Sequence, residues 1–332
     1  MTRRLSSASD PGRRPARVIL LFVDGIGIGP ATESNPFHTQ SLPAFHRLSG
    51  GRPWTTDFTG DSGSSHDRQF SDSTLFGPID ACLGVEGLPQ SGTGQATLFS
   101  GVNCAELAGR HYGPYPHTTS LPVLSEKSIF IRLRGRGFEP AFANAYPSAF
   151  FEMARKRNRW SVTTRSCLQA GVRLRTLDDL RAGNALSADI TGEGLRRRLD
   201  GQLSTIDEER AAERLLALSE RHGFVAFEYF HTDRAGHGQS AEAAAACLGS
   251  IDRLLGALDT RIRERETTLL VTSDHGNLED LSVKTHTRNS VPFVAAGKNA
   301  PAFKNVRSLV DVVPAIAALY LPAAASASDS VE

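Results

Sequence analysis

Arg17-Val-Ile-Leu-Leu-Phe-Val23, followed at once by Asp24-Gly25, is the stretch on which the fold turns. Aliphatic and β-branched residues run without polar alternation, as in a strand buried on both faces of a parallel sheet, and the run stops at a carboxylate. Asp24 therefore stands at the strand's carboxyl end, the side on which open α/β sheets gather ligands. Two later apolar runs repeat the arrangement. Phe224 to Phe230 ends in His231-Thr232-Asp233 and continues to His237, and Thr268 to Thr272 ends in Ser273-Asp274-His275. Between and after them lie helical stretches: one capped by Thr205 or Asp207 and running through Ser219 to a stop at Gly223, one over about 241–263, and one near Asp311 to Tyr320 that follows a short strand, Val291 to Ala295. Alternating strands and helices predict an α/β fold whose mostly parallel sheet is covered by helices on both faces.

Composition narrows the partners. Among 332 residues, 37 Lys and Arg nearly balance 36 Asp and Glu, so no global charge favours nucleic acid or an anionic membrane. The longest apolar run near the start, Val18 to Val23, is far short of a spanning helix, and the reading is a cytoplasmic chain. Cys82, Cys104, Cys167 and Cys247 are widely spaced and predict free thiols. Residues 1–16 read as a disordered leader and 323–332 as a flexible tail. Residues 25–90 are rich in Gly, Pro, Ser and Asp and predict loops and short elements, with a helix beginning just after Gly94. Residues 151–200 carry 11 Lys and Arg against 6 Asp and Glu. With the proline-rich entry at Pro114, Pro116 and Pro122, this predicts a small cap subdomain over 109–204, inserted into a core made of 17–108 and 205–322.

The chemistry lies in residues that the strand ends would bring together. Asp233 and His237 are four apart and can reach one ion from a first helical turn. Adjacent Asp274 and His275 can serve metals if they face different ions or if the strand end bends. His286, in Lys284-Thr-His-Thr-Arg288, adds a third imidazole; taken singly, each histidine is more often a hydrogen-bonded or surface residue. Gln90-Ser-Gly-Thr-Gly-Gln95 places Ser91 beside a glycine in a glycine-rich segment at a predicted helix start, where N–H groups favour phosphate. Ser91 is the candidate nucleophile, since coordination to a divalent cation favours the alkoxide; the alternative is a capping serine in a glycine-rich turn. The Asp24-Gly-Ile-Gly-Ile-Gly-Pro30 run lacks the dinucleotide spacing Gly-x-Gly-x-x-Gly, and its carboxylate suits a metal better than pyrophosphate. Aromatic residues over 142–151 read as core.

These motifs, Asp24-Gly, the Ser91 loop, Asp233-x-x-x-His237, Ser273-Asp-His-Gly-Asn277 and Thr285-His-Thr-Arg-Asn289 before Val291-Pro292, occur in an order that resembles the alkaline phosphatase superfamily. The resemblance is closest to its branch of cofactor-independent phosphoglycerate mutases and phosphopentomutases, and it covers residues 17–103 and 224–320. It implies an alkaline-phosphatase-like core and a metal-dependent phosphatase or phosphomutase acting on a small phosphorylated metabolite. It also implies two divalent ions, Mn2+ or Zn2+ with Mg2+ possible: Asp24, Ser91, Asp274 and His275 around one, Asp233, His237 and His286 around the other. Ser91 would form a phosphoseryl intermediate, with Thr93 as the fallback nucleophile. The mutases usually carry a histidine where this chain has Gln95. Caps of these relatives contribute positive groups to substrate, which nominates Arg155, Lys156, Arg157, Arg159 and Arg165; a solvated helix face is the alternative. A hydrolase of a phosphodiester or sulfate ester using the same metals, and a catalytically silent metal-binding protein, are the rival readings.

Overall fold

The computed structural model describes residues 16–59, 69–71, 73–199, 201 and 203–321. The expected leader, apart from Ala16, and the expected tail lie outside the described residues. Nine strands are described: β1 (Arg17–Val23), β2 (Gln69–Ser71), β3 (Thr74–Ile79), β4 (Ala141–Phe142), β5 (Ala145–Tyr146), β6 (Arg175–Thr176), β7 (Phe224–Tyr229), β8 (Thr267–Thr272) and β9 (Val291–Gly297). Seven form one sheet in the order β2-β3-β9-β8-β1-β7-β4. β4, β7, β1 and β8 are mutually parallel. β9 runs against β8 and β3 against β9, so the second edge of the sheet is antiparallel.

β1 is central, and its side chains divide by parity. Ile19, Leu21 and Val23 enter one core with Leu215, Leu254 and Leu258, while Val18, Leu20 and Phe22 enter the other with Phe99, Phe130 and Val313. This two-sided burial is why β1 reads as an unbroken apolar run, with helices on both faces. The helix Glu208–His222 starts where expected: Asp207 accepts from the Arg210 N–H, and Leu215, Leu216 and Leu218 are fully buried, each worth roughly 2 kcal/mol of transfer free energy. The long helix Ala241–Ile262 covers the same face, and Leu309–Ala318 the opposite one.

Two expectations change. β3 lies within the stretch expected to be loops and short elements, although it contains Gly77 and Pro78. Pro78 stands opposite Pro292, next to the last pair of the β3-β9 ladder. The segment 109–204, expected as an inserted cap, is largely built into the core. β4 extends the main sheet, and Ile129, Phe130, Leu133, Phe142 and Cys167 share a cluster with Leu20 and Phe22. A small group around Ala145, Leu180, Ala185 and Leu203, beside the β5-β6 pair, forms a cluster of its own. All four cysteines are free thiols. Among the described residues no helix is long and apolar enough to cross a membrane.

Candidate metal centre

β1, β7 and β8 are neighbours running the same way, so their carboxyl ends lie roughly 5 Å apart and bring Asp24, Asp233 and Asp274 into one crevice. Hydrogen bonds tie the three loops together. Thr232 Oγ1 donates to the Asp24 carbonyl at 2.5 Å, and the Ile26 N–H donates to Ser273 Oγ at 2.9 Å. Beyond β8 the chain bends, so the adjacent side chains of Asp274 and His275 approach to 3.5 Å.

One group of donor atoms centres on His275. Its Nδ1 is 3.3 Å from the Gly276 carbonyl, a contact that only an N–H can make, which leaves the lone pair on Nε2. That lone pair faces Ser91 Oγ at 3.0 Å, Asp24 Oδ1 at 3.4 Å and Asp274 Oδ2 at 3.5 Å. Both carboxylate oxygens are buried and accept no hydrogen bond. Ligands held at about 2.1 Å by a tetrahedral ion stand about 3.4 Å from one another, so this spacing fits a cation among four acceptors.

The second group has the same logic. His237 Nδ1 donates to the Lys284 carbonyl and His286 Nδ1 to the Pro89 carbonyl, each at 2.7 Å. Their Nε2 atoms then confront each other at 3.1 Å, and they face Asp233 Oδ2 and Oδ1 at 3.4 and 3.5 Å. Asn277 Nδ2 fixes the Asp233 carboxylate with a 2.7 Å bond. Asp233 also belongs with Asp24 and His275 to a set whose ligand atoms all lie within 4.8 Å, so it stands between the two groups rather than in one alone. The His275 and His286 rings stack at 3.7 Å.

Electrostatics point the same way. Burial, then the neighbouring charges of Asp274, Asp233 and Glu228, drive the Asp24 carboxyl well above its usual range. Burial works in that direction on Asp233 too, but the His286 hydrogen bond and the His275 charge override it and hold Asp233 at about 2. Burial lowers His275. It also opposes protonation of His286, where the Asp233 bond prevails and raises the pKa. Without a metal, a proton shared by Asp233 and His286 relieves the clash of lone pairs; a divalent cation relieves it at both groups.

The helix Ser91–Ser100 begins at Ser91, four residues before the expected start. Its glycines mark close approach: a Cβ on Gly92 would lie 2.1 Å from the Tyr115 carbonyl oxygen, and one on Gly94 would lie 2.8 Å from that of Asp274. Gln90 is the N-cap, so Ser91 is free of the capping role and turns its hydroxyl to His275. Thr93 is committed elsewhere, donating to the Gln90 and Tyr112 carbonyls and accepting from the Tyr112 N–H at 3.1 Å. Gln95 donates to Asp24 Oδ2 at 3.3 Å and leaves Oδ1 directed at His275.

Two acids escaped the sequence reading. Glu279, fully buried, accepts from the N–H groups of Gly27 and Asn277, from the Asn289 amide at 2.9 Å and from the Thr287 hydroxyl, and so binds three metal-site loops together. A Cβ on Gly27 would sit 2.3 Å from Glu279 Oε1, so this glycine makes room for a carboxylate. Glu228, on β7, accepts from Thr163 at 2.7 Å; burial first, and the Asp274 charge second, push it up to about 7. Neither stands in a motif, although Glu279 falls two residues after Asp-His-Gly-Asn277. Of the basic residues, Arg155, Lys156 and Arg157 are exposed on the last turn of the helix Ser148–Arg157. Arg159 and Arg165 instead line a cavity of about 510 Å3 with Tyr112, Tyr115 and Trp160, beside the backbone that packs on Gly92.

Residues 200–321 match the family model described as Metalloenzyme superfamily. A 2,3-bisphosphoglycerate-independent phosphoglycerate mutase of Thermomicrobium roseum is 34% identical over 111 residues, which is 30% of this chain and 21% of that protein. One from Natronomonas pharaonis is 40% identical over 75 residues, 21% of this chain and 15% of that protein. The matched region thus spans about a fifth of the length of these relatives. A cold-active alkaline phosphatase from Shewanella sp. superposes with a TM-score of 0.51 at 11% identity, covering 92% of this chain and 99% of that one; the likeness is one of fold.

Proposed function

We propose that the chain, whose residues 200–321 match the Metalloenzyme superfamily model, is a two-metal phosphate-transfer enzyme, a phosphatase or phosphomutase of a small phosphorylated metabolite, with Ser91 as nucleophile. The observation that carries this reading is the Ser91 hydroxyl, set 3.0 Å from His275 Nε2 at the edge of the crowded acceptors. Asp24, Ser91, Asp274 and His275 would hold one divalent cation, Asp233, His237 and His286 the other, with Asp233 in reach of both. Mixed carboxylate and imidazole ligands suit Mn2+ or Zn2+, with Mg2+ as the harder alternative. When bound, the cations supply the positive charge that favours the Ser91 alkoxide and offsets charge on the phosphoryl oxygens.

The chain's own residues do the remainder. Ser91 Oγ, on the first turn of a helix, attacks phosphorus as the substrate's ester bond to phosphorus breaks, giving phosphoserine. The helix N-terminus favours the phosphate placed against it. Asn277 and Gln95 hold the Asp233 and Asp24 carboxylates in orientation. Arg159 and Arg165, which line the neighbouring cavity, would take the rest of the substrate. Transfer of the phosphoryl group to water makes a phosphatase, and return to another hydroxyl of the substrate makes a mutase.

The test is a panel of sugar phosphates and phosphoglycerates offered to Mn2+- or Zn2+-loaded protein, scored for free phosphate and for isomerised product, with mass spectrometry of Ser91. Turnover with phosphorylated Ser91 supports the reading. Full activity of Ser91→Ala, or a protein that takes up no divalent ion, overturns it.

A further inference from the structure

At the amino ends of β4 and β7, on the far side of the sheet from the metal centre, lies a cavity of about 390 Å3 lined by Arg134, Arg173, Arg175, Arg221, His222 and Glu139. Arg175 is 7% exposed and has no carboxylate within ion-pair distance. Its Nε donates to the Phe142 carbonyl at 3.0 Å and its Nη2 to His222 Nε2 at 3.3 Å. His222 Nδ1 donates to the Glu139 carbonyl at 2.9 Å, so Nε2 is the acceptor and the imidazole is neutral. Burial and the charges of Arg175 and Arg221 hold that ring's pKa down, which keeps it neutral. Arg175 Nη1 makes no hydrogen bond among the described residues, so the guanidinium presents an unused donor edge to the cavity.

The other arginines do not cancel this charge. Arg173 is matched by Asp179 through two 2.7 Å bonds, and Arg134 by Glu139 at 3.4 Å. Arg221 bonds only neutral acceptors, the Asn184 side chain at 2.9 Å and the Ala217 carbonyl at 3.3 Å. Arg175 and Arg221 therefore make no ion pair among the described residues; Asp179, already bonded to Arg173, acts on the buried Arg175 only through space, and an undercompensated buried charge is costly. Two planar donors in a recess of this size match a dianion with three acceptor oxygens.

We infer that this cavity is a binding site for a small phosphate-bearing anion, separated from the metal centre by the length of β7, roughly 20 Å. The site stands independently of the proposed reaction, because none of its residues belongs to the carboxyl-end crevice. The ligand supplies the charge that Arg175 and Arg221 lack.

Isothermal titration of the full chain in excess EDTA, so that phosphate cannot be held through the metal centre, tests this with inorganic phosphate in one arm and glycerol 3-phosphate in the other at matched ionic strength. Saturable binding of one equivalent is expected. Arg175→Gln should weaken it at least about tenfold, the scale of one lost charge-assisted contact. Arg221→Gln, at an exposed position, should weaken it severalfold without a change in melting temperature, which separates binding from folding. Tighter binding of glycerol 3-phosphate identifies an organic phosphate as the ligand, and equal binding identifies the free ion. Absence of saturable binding, or unchanged affinity in both variants, overturns the inference.

Discussion

The two ends of the parallel strands carry opposite imbalances. At the carboxyl ends, Asp24, Asp233, Asp274 and three imidazoles present acceptors to one another with too few protons among them. At the amino end of β7, Arg175 and Arg221 present donors with no carboxylate to meet them. Other buried polar groups are matched within the fold: Asn144 exchanges two hydrogen bonds with the Glu228 backbone, and the Glu208 carboxylate takes both Ser250 and Arg253. Buried groups that are left unpaired are costly, so an imbalance concentrated at one place marks where something from outside completes the structure. On the two proposals, a cation would complete one end and an anion the other.

The hardest blow to the carboxyl-end reading comes from Ser91→Ala, which should lower phosphoryl transfer by at least about a thousandfold and abolish the phosphoserine signal in mass spectrometry. Wild-type turnover in that variant would leave the crevice as a metal-stabilised fold element only. Next in size is the metal itself. Chelation should abolish activity and lower the melting temperature, since an ion at a hundred times its Kd contributes about 2.7 kcal/mol. His237→Ala should weaken Mn2+ or Zn2+ binding by about tenfold or more in a metal titration, and an unchanged titration would remove His237 from the ligand set.

Glu228 probes how negative the crevice is without its cations. In the folded metal-free chain its carboxyl sits at about 7, against the usual 4.5. The folded state thus binds a proton that the unfolded chain has released over that interval. The contribution to stability is full below about pH 4.5 and declines as pH rises through about 7, by up to roughly 3 kcal/mol. Urea melts in EDTA at pH 5 and pH 8 should show this decline in the wild type and a flatter profile in Glu228→Gln; identical profiles would mean that the Glu228 carboxyl is not raised in the folded chain. The smallest contrast lies among the arginines. Arg165→Ala should raise KM about tenfold and exposed Arg157→Ala by less than about twofold, and the reverse order would move substrate contact out to the helix Ser148–Arg157.

Much of the carboxyl-end crevice was legible residue by residue. Asp24, Asp233 and Asp274 each close an apolar run, and such runs are local signals of strands buried on both faces. Ser91 was legible from its glycines, but their meaning changed: they admit the carbonyls of Tyr115 and Asp274, where a turn ahead of the helix was expected. Glu279 stayed hidden because an acid two residues past a motif says nothing of the four donors that converge on it from distant loops. Arg175 likewise looks like one basic residue among eleven in a cationic stretch, and only burial without a carboxylate distinguishes it. β3 was masked by Gly77 and Pro78, two residues that weaken a strand signal in the sequence. The composition of 109–204 suggested a cap, while packing makes most of it core.

The sequence by itself therefore determined the strands β1, β7, β8 and β9, the helix-covered sheet and the residue types of the carboxyl-end crevice. Tertiary structure alone decided which acceptors meet, that Asp233 stands between both groups, that Thr93 is occupied, and that an anion-deficient cavity lies at the opposite end. The reason is physical: periodicity along a chain records which side chains are buried, whereas the charge balance of a site depends on partners brought to it across the fold.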